Sequence, residues 1–466
     1  MSPSPEATLA PSATEATVEA PPVAGFATLL SLAWPVMVSR STQVVVGLVD
    51  ALMVAKLGRA ALAATSAGAF NTYAVLILPM GCLFIVASFA SQFHGKGDPT
   101  GARRYGFYGL ALAGLTQVLC MAAIPGLPWV LSKLSLEPEV QRLMGSYMAI
   151  RLLSGGAAMG MEALGNYYGG IGNTRRPMLG NLALMVLNVF FCWLLVQGHL
   201  GAPALGVAGS AWAAVAATWL AFLGLLTPFI LEGKGFGPLG LKGAEFGRML
   251  GFGLPSGLNW FFEFFAFNVF INVVIGGLGT TALAAMMSVF QLNSISFMPA
   301  FGLATAGSVL VGQAIGAGNK PAVPGLVRLT LKAAAGWQGA VSLLYLAIPG
   351  LLLLPFASDD GGAEFLEVGA RLLMLSAAWQ VLDATVNTVA EALRAAGDTT
   401  VPLFARLVIA WLVFVPGSVI SVRWFHHGEM VAVGWVVAYM GLLSIVLWLR
   451  LQSGAWEKVK LIEPAP

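Results

Sequence analysis

The sequence has few charged residues. Asp, Glu, Lys and Arg make up only 10% of its 466 residues, whereas 58% are hydrophobic. A soluble globular protein carries about 25% charged residues. The formal net charge of +3 is too small to indicate a nucleic-acid partner. This scarcity of charge excludes a soluble globular domain and predicts an integral protein of the lipid bilayer.

Residues that support metal, redox and nucleotide chemistry are also scarce. The three cysteines lie in apolar runs without a CxxC spacing, and the four histidines have no metal-ligand spacing with cysteines or carboxylates. The histidines lie in or near expected loops, which argues against an enzyme with its active site inside the membrane. No G-x-x-x-x-G-K-[ST] motif occurs. We therefore expect no enzyme and no cofactor, and any work must be driven by an ion gradient.

The first 24 residues lack lysine and arginine and are rich in Pro, Ala, Ser and Glu. A signal peptide needs a basic start followed by an apolar stretch. Residues 1–24 are therefore predicted to be a disordered cytoplasmic tail.

The rest of the chain contains twelve apolar runs, each long enough for the roughly 20 residues of a transmembrane helix. They lie at residues 27–55, 62–92, 105–131, 143–170, 178–198, 206–231, 248–276, 283–314, 326–355, 368–394, 401–422 and 429–449. Sixteen Lys and Arg residues, Arg394 and Arg406 among them, are assigned to the side that carries both termini, and six to the other. Basic residues favour the cytoplasmic side, so both termini are predicted to be cytoplasmic.

The chain also repeats itself at a nearly constant offset. LGRAALAA at 57–64 matches LGTTALAA at 278–285, Gln92 matches Gln313, Pro35 matches Pro255, and GNTRRPM at 172–178 matches GDTTVPL at 397–403. Six runs in each half bring the second half into the membrane in the same direction as the first. We therefore predict an all-α protein of two parallel six-helix lobes, related by a pseudo-twofold axis along the membrane normal.

The predicted domains are an N-lobe at 25–231, a cytoplasmic linker at 232–247, a C-lobe at 248–452 and a C-terminal tail at 453–466. Two such lobes enclose a central cleft, and rocking one lobe against the other would expose that cleft to each side in turn.

Five acids fall inside or near the apolar runs, with Arg40 and Arg151 as candidate counter-ions. A charge at the bilayer centre costs on the order of 2.5–3.5 kcal/mol, so such residues usually face a bundle interior. Glu263 lies in the aromatic stretch NWFFEFFAFN. Phenyl rings attract cations and desolvate a carboxylate, which suits a group that trades a proton or metal ion for an organic cation. The alternative is a structural Glu263 that is paired with Arg40 or bonded to a neighbouring helix.

The other acids have weaker patterns. Asp383, Asn387 and Glu391 are four residues apart and therefore share one helical face, which favours a wet cavity, although Glu391 could belong to a solvated helix end. Asp50 could be a cation ligand, with Asn188 as a neutral partner, or a helix cap. Glu162 is predicted to be structural.

The stretch LAWPVMVSRSTQVVVGLVDALMVAKLGRAALAA resembles the first-helix signature of the multidrug and toxic compound extrusion (MATE) family. The repeated G-[ND]-T-x-x-P and Gln…G-x-G blocks resemble that family too. The similarity implies a two-lobe antiporter of the bacterial inner membrane that exports cationic amphipathic compounds in exchange for Na⁺ or H⁺. WFFE at 260–263 and LDA at 382–384 resemble the acid-bearing motifs of its NorM branch.

The resemblance places the functional acids at Asp50, Glu263 and Asp383, with Na⁺ as one candidate ion at the last two. We expect Phe261, Phe262 and Phe265 to include cavity-lining aromatics. Cys192 and Ala214 stand where some members carry an acid and a threonine. This departure argues against a Na⁺ site in the N-lobe.

Two other functions are considered. A flippase of the same superfamily, with a lipid-linked or amphipathic substrate, would need a basic cavity, and only Arg40 and Arg151 could supply one. A channel is compatible with the composition, but no pore motif occurs. Small organic cations and the lipid bilayer are the expected partners, and a monomer is the expected functional unit.

Overall fold

The computed structural model describes residues 25–133, 136–235, 239–357 and 362–462, and within them all regular structure is helical. The predictions for residues 1–24 and for the end of the C-terminal tail concern residues outside these ranges. The N-terminal half contains α1 Phe26–Ala55, α2 Arg59–Leu83, α3 Ile85–Gly95, α4 Pro99–Ala123, α5 Leu127–Leu131, α6 Pro138–Leu152, α7 Gly155–Gly170, α8 Arg175–Gln197 and α9 Val207–Leu231. The C-terminal half contains α10 Gly243–Val269, α11 Thr280–Gly316, α12 Val323–Ala347, α13 Pro349–Leu353, α14 Gly362–Ala396, α15 Thr400–Val408, α16 Val415–Arg423 and α17 Glu429–Gln452.

Ten helical segments in the described residues are long and apolar enough to cross a membrane. An eleventh is counted if Lys320–Ala347 and Pro349–Phe356, which meet at a bend of 94°, form one span. The remaining predicted run, 143–170, is divided into α6 and α7, of 15 and 16 residues. Neither helix alone reaches the roughly 20 residues that a bilayer requires. The protein is thus a multi-pass, all-α membrane protein.

Two short π-helical segments interrupt the C-terminal half. Phe270–Ile275 continues α10, and Ile409–Phe414 joins α15 to α16. A π turn adds a residue to the helical repeat and so rotates the side chains that follow it; such turns are frequent at functional sites.

The apolar core is divided into two large clusters. One contains residues of α11, α14 and α17 and includes Leu29 and Ala33 from the start of α1. The other contains residues of α2, α4 and α7 and includes Met249 from the start of α10. Each half therefore has its own core, and the first helix of each half begins against the other half.

The two halves meet through equivalent helix pairs, α1 with α11 and α2 with α10. Glycines permit the close approach in both pairs. A methyl group built on Gly302 would lie 2.7 Å from the Met37 side chain, and one built on Gly81 would lie 2.8 Å from the Cα atom of Gly257. These contacts correspond to each other at the offset of the sequence repeat.

A second pair of equivalent contacts closes one end of the interface, where α3 and α11 end. The Gln92 side chain donates to the carbonyl of Ala395 over 2.7 Å, and the Gln313 side chain donates to the carbonyl of Gly170 over 3.1 Å. Both glutamines were matched by the sequence repeat. We call these two hydrogen bonds the glutamine clamp.

Candidate functional site

A cavity of about 380 Å³ lies mainly within the C-terminal half, and we call it the C-lobe cavity. Side chains of α10, α11, α14, α15 and α17 line it, and Tyr73 and Ile77 of α2 extend it to the N-terminal half. Its charged lining residues are Glu263, Asp383 and Arg406. Two of the predicted acids are therefore brought together across 120 residues of sequence, with an arginine beside them.

Glu263 is already paired. The Arg406 guanidinium, on α15, forms an ion pair and a hydrogen bond with its carboxylate. The Tyr439 hydroxyl, on α17, donates to Glu263 Oε1 over 3.3 Å. The Arg406 residue is buried, with 5% of its surface exposed. The predicted alternative counter-ion, Arg40, does not pair with Glu263.

Asp383 has a neutral partner only. Asn387, one turn further along α14, donates to Asp383 Oδ1 over 2.8 Å and to the Asp383 backbone carbonyl over 3.0 Å. No ion pair in the described part of the chain includes Asp383. The cavity thus holds one compensated carboxylate and one carboxylate that an added cation can neutralise.

Aromatic rings line this cavity, but they differ from the predicted ones. Trp260, Phe264 and Phe267 lie at its wall. Trp260 and Phe267 stand at i−3 and i+4 from Glu263, so they share its helical face. The rings that the sequence predicts to line the cavity do not line it.

Phe261 and Phe265 lie two residues from Glu263 on either side, which places them on the opposite face of α10. Their ring centroids are 4.5 Å apart, and Phe265 is exposed. Phe262 packs near Trp411 of the π segment, with 6.5 Å between ring centroids. None of the three is among the lining residues of the C-lobe cavity.

Glu391 differs from its predicted position as well. It is neither on the cavity wall nor at a solvated helix end, because it is buried and forms an ion pair with Arg394. Arg394 also donates to the backbone carbonyl of Phe84, which lies at the break between α2 and α3. This pair therefore joins the two halves near the glutamine clamp.

A second cavity, of about 400 Å³, lies in the N-terminal half, and we call it the N-lobe cavity. Tyr73 lines both cavities, so they are neighbours. Asp50 lies in its wall and accepts hydrogen bonds from the Asn188 side chain, over 2.6 Å, and from the Cys192 thiol, over 3.1 Å. The predicted contact of Asp50 with Asn188 is present, and Cys192 serves as a second neutral donor.

The two arginines of the N-lobe cavity differ in their contacts. Arg40 forms an ion pair with Glu162 at 3.0 Å, and Asn166 donates to the same carboxylate over 3.1 Å. The Arg40 guanidinium also lies 5.6 Å from the ring centroid of Phe84. Arg151 has no carboxylate within ion-pair distance among the described residues, and its Nε atom is buried without a hydrogen-bond partner.

Arg406 is the main site residue that the sequence analysis missed. The charge pattern places it on the cytoplasmic side together with Arg394, whereas the structure buries both in helices, α15 and α14. A signal was present, since Arg406 lies inside the apolar run 401–422 and a charge there needs a partner. Reassigning the two arginines leaves fourteen basic residues against six, which does not change the predicted orientation.

The chain was compared with known proteins. The sequence profile of the MatE family matches residues 35–194 and 255–420, two blocks that start at the repeat-related Pro35 and Pro255. The chain is 31% identical to a probable multidrug resistance protein NorM of Neisseria meningitidis serogroup B, covering 86% of this chain and 88% of that protein. It is 28% identical to the multidrug resistance protein PmpM of Pseudomonas aeruginosa, covering 92% and 91%.

Solved structures show the same fold. A MATE crystal structure in complex with MaL6 superimposes with a TM-score of 0.84 at 20% identity, covering 93% of this chain and 97% of that one. An outward-facing multidrug resistance MATE transporter of the MOP superfamily superimposes with a TM-score of 0.83, also at 20% identity and with the same coverage. The two matched repeats, the relative at 31% identity and the shared fold agree, and the chain belongs to the MatE family.

Proposed function

We propose that the protein is a multidrug efflux transporter that exports small cationic amphipathic compounds in exchange for Na⁺ or H⁺. One observation carries this proposal: the C-lobe cavity combines aromatic walls with Asp383, a carboxylate that has no positively charged partner among the residues the structure describes. Aromatic faces and a desolvated carboxylate are the groups that bind an organic cation. The relatives are named as multidrug resistance proteins, which supports the same substrate range.

The proposed exchange is a competition for Asp383. A Na⁺ ion or proton from outside neutralises the carboxylate, the organic cation leaves, and the lobes reorient. When Asp383 is empty and ionised, the lobes reorient less readily, because an uncompensated charge is costly in the low-dielectric cleft. Either occupant alone therefore permits the movement, which is the requirement for antiport.

We further propose that the membrane is the bacterial inner membrane and that both termini are cytoplasmic. In that orientation the glutamine clamp closes the cytoplasmic side, and the cleft faces outward. The similarity to a transporter in its outward-facing conformation supports this assignment. The bilayer and the transported cation are the only partners that the proposal requires, and a monomer with both cavities suffices for transport.

A flippase for an anionic lipid-linked substrate is less well supported. Such a substrate would need uncompensated basic groups in the cleft. Arg40 and Arg406 are each paired with a glutamate, which leaves Arg151 as the remaining base among the described residues that line the two cavities.

The proposal is tested in proteoliposomes with a fluorescent organic cation and an imposed Na⁺ or pH gradient. Asp383→Asn should abolish gradient-driven movement. Asp98→Asn is the matched control, because Asp98 caps α4 by accepting from the Gly101 amide over 2.7 Å, and asparagine caps equally well. Equal coupled transport by both variants would refute a role for Asp383.

A further inference from the structure

The charges of the C-lobe cavity do not balance. Glu263 and Arg406 cancel each other, so Asp383 gives the cavity a net charge of −1. Arg406 is held in place by the ion pair and by its burial. The guanidinium therefore occupies, as a permanent part of the chain, the place that a second substrate cation would take beside Glu263.

We propose that Arg406 is a specificity-determining residue that limits this cavity to substrates with one positive charge. The inference rests on the proposed export of organic cations and names the charge class that the site selects. Arg406 acts as a tethered cation, Glu263 holds it, and Asp383 binds the cationic group of the substrate.

The electrostatics of a desolvated site support this limit. A monocation brings the cavity to neutrality, whereas a dication leaves one charge without a partner in a low-dielectric space, where an unpaired charge is costly. A dication could reach Glu263 only by displacing Arg406, which would leave a buried guanidinium unpaired. Within the described part of the chain the walls contribute no further acid, since the charged groups among the lining residues are Glu263, Asp383 and Arg406.

The competing interpretation is that Arg406 only fixes the fold. It lies on α15, two residues before α15 gives way to the π segment Ile409–Phe414, so the ion pair also connects α15 to α10. A purely structural role predicts that Arg406 variants lose stability and that the binding of all substrates weakens equally. A specificity role predicts that the preference between substrates changes with the cavity charge.

The experiment uses ethidium, a monocation, and propidium, which carries the same ring system and a second quaternary ammonium group. Binding of each is measured by fluorescence on the purified full-length protein for the native chain, Arg406→Gln, Glu263→Gln and the double variant Glu263→Gln/Arg406→Gln. The cavity charge is then −1, −2, 0 and −1. Thermal unfolding in the same detergent identifies variants that have lost the fold.

We expect Arg406→Gln to shift the ratio of the two dissociation constants toward propidium by about tenfold, the lower end of what a desolvated charge pair contributes. Glu263→Gln should weaken ethidium binding, and the double variant should return the ratio to that of the native chain. A ratio that stays constant across all folded variants would overturn the inference. If the single variant did not fold, a double variant without the native preference would overturn it as well.

Failure of the proposed function gives a different result. In that case dye binding does not depend on Asp383, so Asp383→Asn binds both dyes as the native chain does. Native binding of ethidium that is lost in Asp383→Asn, together with an unchanged ratio in Arg406→Gln, would retain the function and reject the role of Arg406.

Discussion

The closed end of the interface leaves no room for a side chain at two equivalent glycines. A methyl group on Gly316 would lie 1.9 Å from the carbonyl oxygen of Gln92, and one on Gly95 would lie 2.0 Å from that of Gln313. Ordinary contact begins at 3.4 Å, so either alanine requires a displacement of about 1.5 Å in a backbone that cannot yield like a flexible side chain. Overpacking of this kind costs about 1–3 kcal/mol. The clash exists only when the two lobes touch here, so the closed state should lose about 5- to 150-fold in population relative to states in which this end is open.

The change is measured as a distance across this end. Spin labels on cysteines introduced at Lys96 and Ala317, which are both exposed, report the separation of the lobes by pulsed dipolar spectroscopy. The native cysteines are buried, which limits their reaction with the label. Gly316→Ala and Gly95→Ala should each move the distribution to longer distances.

Gly114→Ala is the matched control for this prediction. Gly114 is on α4, and a methyl group there meets no atom within 4 Å. Its distance distribution should remain that of the native chain, and its thermal stability should be unchanged or slightly higher because alanine favours helix. A distance distribution for Gly316→Ala identical to that of Gly114→Ala would refute the assignment of this contact as the closed end of an alternating-access cycle.

Three further predictions follow from single contacts. Glu162→Gln leaves the Arg40 guanidinium unpaired and should lower the free energy of unfolding by about 3–5 kcal/mol. Arg371→Gln, in an exposed ion pair, should change that free energy by at most about 1 kcal/mol. Equal melting temperatures for the two variants would contradict this prediction. Gln92→Leu removes one bond of the glutamine clamp, worth about 0.5–1.5 kcal/mol, and the spin-label distances should show a smaller opening than Gly316→Ala gives. Phe264→Ala should weaken ethidium binding because its ring lines the C-lobe cavity, whereas Phe265→Ala should not, and equal dissociation constants would disprove the assignment of the faces.

Much of the fold could be read from the sequence because membrane helices follow simple rules. Length and apolarity define spans, and a constant offset between matched motifs defines two halves. The division of run 143–170 into α6 and α7 was not foreseen. Its Gly155 and Gly156 permit close packing against Cys120 and Gln117, and such tertiary contacts leave no mark in hydropathy.

The contacts of the site were predictable only where both residues lie on the same helix. Asp383 and Asn387 are one turn apart, and their contact follows from the helical repeat alone. The choice of Trp260 and Phe267 as wall residues could have been made in the same way, because they lie three and four residues from Glu263 and so share its face. The relevant signal was present, but the density of aromatic residues obscured it.

The Glu263–Arg406 pair could not be deduced in this way. Its partners lie on α10 and α15, separated by 143 residues, and their meeting depends on how these helices pack. Sequence showed that each charge needs a partner, but not which one. Arg40 was a reasonable candidate for Glu263, but the fold brings it to Glu162 of α7 instead.

The most direct test of the account is whether an organic cation drives an ion in the opposite direction. Proteoliposomes with equal Na⁺ and pH on both sides receive an outward gradient of ethidium, and fluorescent indicators follow Na⁺ and H⁺. The account predicts that one of these ions moves inward against its own developing gradient, and that Asp383→Asn abolishes this movement while Asp98→Asn does not. Ethidium efflux without any opposing ion movement would contradict antiport.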